Sequence, residues 1–155
     1  MGSLAALGTD ALIERVLSGN ATGHREVGEQ LTAANDAAWH ATSPRLLELC
    51  RVRIATMLGC KAEAVARTAG SGVADGMLEA IAAWPTDSRF TEVDRVCLAF
   101  TEHYVMDVAS LDDATVAAVS VRLGDEGTKN FVHALLVVEQ RIRLRLVWDC
   151  LLGDR

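Results

Sequence analysis

The chain has 155 residues, half of them hydrophobic and 23% charged, with a net charge of −6 and a pI near 5.1. That composition suits one domain with a single core and excludes wholesale disorder. No basic tract marks a nucleic-acid partner, and no apolar run approaches the ~20 residues that span a membrane.

Proline is scarce, Ala and Leu abound, and few segments alternate apolar with polar residues. An all-α fold follows from this. The first residues, MGSLAALGTDALIERV, lack the basic region of a signal peptide and soon acquire acids. The four cysteines, Cys50, Cys60, Cys97 and Cys150, form no Cys-x-x-Cys. Neither a disulfide framework nor a zinc site is expected, no cofactor is called for, and the expected location is cytoplasmic.

Thr9-Asp10 caps a short helix with Leu12, Ile13, Val16 and Leu17 on one face, stopped by Gly19-Asn20. A second helix is predicted from about His24 to Trp39, with Val27, Leu31, Ala34 and Ala38 inward. Ser43-Pro44 then opens a largely buried helix that Gly59 ends. Cys60 starts the next, which reaches Ala69–Gly72. A short helix covers Asp75 to Trp84 before Pro85. Thr91-Glu92-Val93-Asp94 has the form of a capping box and begins a long helix through Val96, Phe100, His103 and Tyr104. Ser110-Leu111-Asp112 caps a further helix that stops at Leu123-Gly124. The last and longest runs from about Asp125 to Leu151. Its apolar residues, from Phe131 to Val147, cover more than one face, as in a central helix or one at an interface. No linker interrupts the chain. Residues 1–42 are expected as a helical segment packing on a core of residues 43–155, in one domain overall.

The stretch Leu46 to Thr68, LLELCRVRIATMLGCKAEAVART, joins two helical patterns at Gly59-Cys60. It resembles the signature of the carboxymuconolactone decarboxylase and alkylhydroperoxidase D (AhpD) superfamily. The redox branch of that family carries Glu, eleven residues, Cys, two residues, Cys, three residues, His. The same frame here reads Glu48, Cys60, Glu63, Arg67, so the second cysteine and the histidine are replaced. RFTEVDRVCLAFTEHYV and NFVHALLVVEQRIRLRLVWD resemble the family's later helices, and the matches cover roughly Ser43 to Asp149. The resemblance implies an AhpD-like helical bundle, a homotrimer or homohexamer, and Glu48 near Cys60.

Three functional readings follow. One is a non-redox enzyme on a small organic acid or lactone, with Glu48 or Glu63 moving protons and Arg51 or Arg67 holding the anion. Another is a thiol peroxidase with Cys60 as single nucleophile, activated at a helix start and dependent on an outside reductant. The third is a non-catalytic oligomeric scaffold, in which Glu63 and Arg67 pair across one helical turn at the surface. His103 is a further candidate for substrate binding. His103 and Asp107 have the spacing of two helical ligands, too few to infer a metal.

Overall fold

In a computed structural model of the protein, residues 8–17, 22–74 and 76–152 are described, without the side chains of residues 16, 17 and 22–24. The expectations at Gly19-Asn20, Asp75, Val16, Leu17 and His24 therefore lie outside the described residues. Helices α1 (Thr9–Leu17), α2 (Thr22–Ala41), α3 (Pro44–Leu58), α4 (Lys61–Val65), α5 (Glu92–Met106) and α6 (Asp113–Leu151) follow in order. No strand occurs among the described residues, so the fold is all-α.

Helix α3 is the axis of the bundle. Ser43 accepts from the Leu46 N–H, Pro44 supplies the first turn, and Gly59 ends the helix in the left-handed region at φ 73. Between them Leu46, Leu47, Leu49, Cys50, Val52, Ile54 and Ala55 are all buried. A helix apolar on this many sides needs neighbours all round, and α2, α4, α5 and α6 pack against it. Phe90, just before α5, joins Leu98 and Phe100 of α5 and Phe131, Leu135, Val138 and Ile142 of α6 to complete the core. Helix α2 lies along α6, and α1 packs on both.

The Thr91 capping box forms as its spacing predicts, with Asp94 accepting from the Thr91 backbone and donating its own N–H to the Thr91 hydroxyl. Asp94 also takes a forked pair from Arg45 at 2.6 and 2.9 Å, which fastens the start of α5 to α3.

Three expectations need correction. Val27 is exposed on α2, although Ala38 on the expected face is buried. The helix after Cys60 has only five residues. The segment up to Trp84 is a series of i→i+3 turns with one 3-10 turn at Ile81–Ala83. Gly76, at φ 82, and Pro85 bound that segment, in which Met77, Leu78 and Ile81 are buried.

The predicted stop at Leu123-Gly124 is a real break. Gly124 sits at φ 71 and ψ 168 inside α6, dividing it into two helical stretches. Only glycine adopts that region readily, whereas the left-handed conformation of Gly59 is also open to asparagine. A Cβ at either position would meet nothing within 4 Å, so backbone alone sets the cost. Gly59→Asn is expected to shift stability by less than about 1 kcal/mol, and Gly124→Asn to lower it by about 1–3 kcal/mol. Urea denaturation of both variants reads the difference.

Candidate functional site

The signature residues meet at the junction of α3, α4 and the loop that follows. Glu48 lies on α3 with no exposed surface, and Arg51, one turn on, is also buried. Arg51 Nε and Nη2 donate to the two Glu48 carboxylate oxygens at 2.8 and 2.9 Å. The Thr68 N–H and hydroxyl donate to the same two oxygens at 3.0 and 2.8 Å. Arg51 Nη1 reaches the Glu63 carbonyl and carboxylate at 2.7 and 2.8 Å, and Nη2 reaches the Ala66 carbonyl at 2.7 Å. The second Glu63 carboxylate oxygen accepts from the Thr9 hydroxyl of α1.

All five N–H groups of Arg51 are thereby engaged, and each Glu48 oxygen accepts two hydrogen bonds. Burial alone would raise the Glu48 pKa. The Arg51 guanidinium, by hydrogen bonds and charge, and Thr68 outweigh it and hold the carboxyl below its ordinary value of 4.5. The group is a fixed anion with no free acceptor site for a substrate.

The same contacts explain the shortness of α4. Arg51 occupies the carbonyls of Glu63 and Ala66, which a continuing helix would need, and Ala66 leaves the helix at ψ 148. The predicted Glu63–Arg67 pair is therefore not formed, because the turn that would stack the two side chains does not exist. Arg67 instead pairs with Glu79 at 3.0 Å on the surface. It lines a separate polar cup of about 400 Å³ with Ser71 and Gly72. Arg53, which the sequence sets on a different face from Arg51, pairs with Glu102 at 2.7 Å; Trp84 Nε1 donates to the same oxygen at 2.6 Å.

Cys60 precedes α4 and is only 1% exposed. Burial is the main force raising its pKa; the Glu63 and Asp149 carboxylates add to this, against the Glu63 backbone and Arg145. Helix-start activation of the thiol, expected from the sequence, is thus overridden by burial. Cys50 and Cys97 are buried too, and burial pushes Cys97 up to about 12.

His103 is exposed on α5 and belongs to no part of this cluster. Among the described residues no group of three or more His, Cys, Asp or Glu side chains is arranged to hold a metal. No described helix is long and apolar enough to cross a membrane. The structure thus brings together Glu48, Arg51, Glu63 and Cys60, and sets Arg67 and His103 apart.

Four participants escaped the sequence reading: Thr9, Thr68, Arg145 and Asp149. Arg145 is fully buried and donates from Nε to Asp149 at 2.9 Å, one turn further along α6. That i,i+4 spacing is visible in the sequence, but nothing there marks it as buried. Thr68 lies 20 residues from its partner, beyond any local pattern. No family model, no curated protein and no solved structure matches the chain.

Removing one partner of a buried ion pair leaves the other charge uncompensated. Arg51→Met is expected to destabilise the protein by about 3–5 kcal/mol in urea denaturation. The Glu48 pKa is lower folded than unfolded, so its contribution is present above pH 4.5 and lost as the pH falls through the folded value. Urea midpoints followed from pH 7 to pH 3 should therefore fall less steeply for Glu48→Gln than for the wild type.

Proposed function

We propose that the chain is an AhpD-like helical domain in which the thiol redox centre has been lost, and that it works by binding. The observation that carries this reading is the closed set of contacts around Arg51 and Glu48. In a redox relay or an acid–base site, a carboxylate needs an acceptor position open to the reacting group. Here that carboxylate holds the loop after α4 to α3. The same closure disfavours a non-redox enzyme that uses Arg51 to hold an anion, since no donor is left to offer. A nucleophilic Cys60 needs exposure and a depressed pKa, and burial works against both. Self-association into a trimer or hexamer belongs to the same reading. It rests on the resemblance in the later helices and on Val121 and Leu136, which α6 exposes to solvent.

Peroxide consumption with excess dithiol should be equally absent in the wild type and in Cys60→Ser. A thiol reagent should modify Cys150, the exposed cysteine, rapidly, and Cys50, Cys60 and Cys97 only on unfolding. Peroxide turnover that disappears with Cys60 would restore the peroxidase reading.

A further inference from the structure

A groove of about 980 Å³ opens between α4 and the last turns of α6, close to Cys60 but outside the Glu48 cluster. It is mostly apolar. Ala62 and Val65 form one wall, and Val147 and Leu151 the other. Val65 and Leu151 are each 74% exposed and Val147 is 52% exposed. Three large apolar side chains left in water around one concavity are unfavourable unless something covers them.

The charges in the groove have one sign to spare. Arg145 at the floor is held by Asp149, and the two compensate each other. Lys61 stands exposed at the edge and makes no ion pair with any described residue. It is one of only two lysines in a chain of net charge −6. A positive site with apolar walls is thus set into an acidic protein. The volume falls in the range of small-molecule sites, which combine apolar walls with a few polar groups that fix orientation.

We propose that this groove binds an amphipathic monocarboxylate, with its apolar body against Val65, Val147 and Leu151 and its carboxylate at Lys61. A neutral apolar ligand would leave Lys61 unused, and a cationic one would be repelled by it. A dianion would have to place its second charge against the apolar walls or beside Asp149. The proposal deepens the reading of the chain as a binding protein. It fails separately from that reading, because peroxide turnover and ligand binding are measured independently.

Isothermal titration calorimetry with decanoate, kept below its micellar concentration, tests the assignment on the full chain. Saturable binding is expected, with decanol and decyltrimethylammonium binding about tenfold more weakly or not at all. Lys61→Glu should weaken decanoate roughly tenfold or more, Lys61→Arg should stay within about twofold, and Val147→Asp should abolish binding. Both positions are exposed, so circular dichroism should show all three variants folded. Absence of decanoate binding overturns the proposal, as does binding that decanol matches and Lys61→Glu leaves unchanged. A dimer in sedimentation that Val147→Asp dissolves, with no decanoate bound by the wild type, overturns it as well and assigns the groove to a second copy of the chain.

Discussion

The buried pair of Glu48 and Arg51 is the interaction on which the centre of the molecule depends. Two opposite charges removed from water lose several kcal/mol of hydration each, and their attraction offsets that only when every remaining donor and acceptor is matched. Here the matching is complete. The partners are the ends of α4 and the start of the following loop, so satisfying the charges and shaping the chain are the same event. Arg51 works as the C-cap of α4 from outside the helix, and Thr68 closes the carboxylate from the far side.

Helix α3 repeats this device along its length. Arg45 fastens it to the start of α5 through Asp94, Arg51 to the loop after α4, and Arg53 to the middle of α5 and to Trp84 through Glu102. The apolar residues between these arginines supply the non-directional part of the stabilisation, and the arginines fix how the neighbours sit. The Arg-rich look of the stretch LCRVRI is therefore a feature of internal fastening. The acidic surface is left to other residues.

Much of the fold was legible. Ser43-Pro44, the Thr91 capping box and the break at Gly124 are local signals, each set by the backbone geometry of a few neighbouring residues, and each appears where its pattern places it. The helix expected from Cys60 to Gly72 stops at Val65 for a physical reason. Helical propensity there is countered by contacts from another helix, and Arg51 removes the carbonyls that propagation requires. The candidate site was half legible. The spacing of Glu48, Cys60 and Glu63 brought out the right neighbourhood, but spacing carries no information on whether a carboxylate is open or enclosed. The enclosure comes from Thr68, Thr9 and Arg51 acting together, and burial of that kind emerges only from the packed chain.

The sequence distances of these fastenings also set an order of assembly. Glu48, Arg51, Glu63 and Thr68 lie no more than 20 residues apart, whereas Arg45–Asp94 spans 49 residues and Arg141–Asp10 spans 131. Closing a short loop costs less chain entropy than closing a long one. The Glu48–Thr68 tie therefore costs little to close, and every residue it needs is made before those of α5 and α6. The ties of the last helix come later: Arg141 cannot reach back to Asp10 of α1 until it has been made, and Asp149 cannot meet Arg145 until later still.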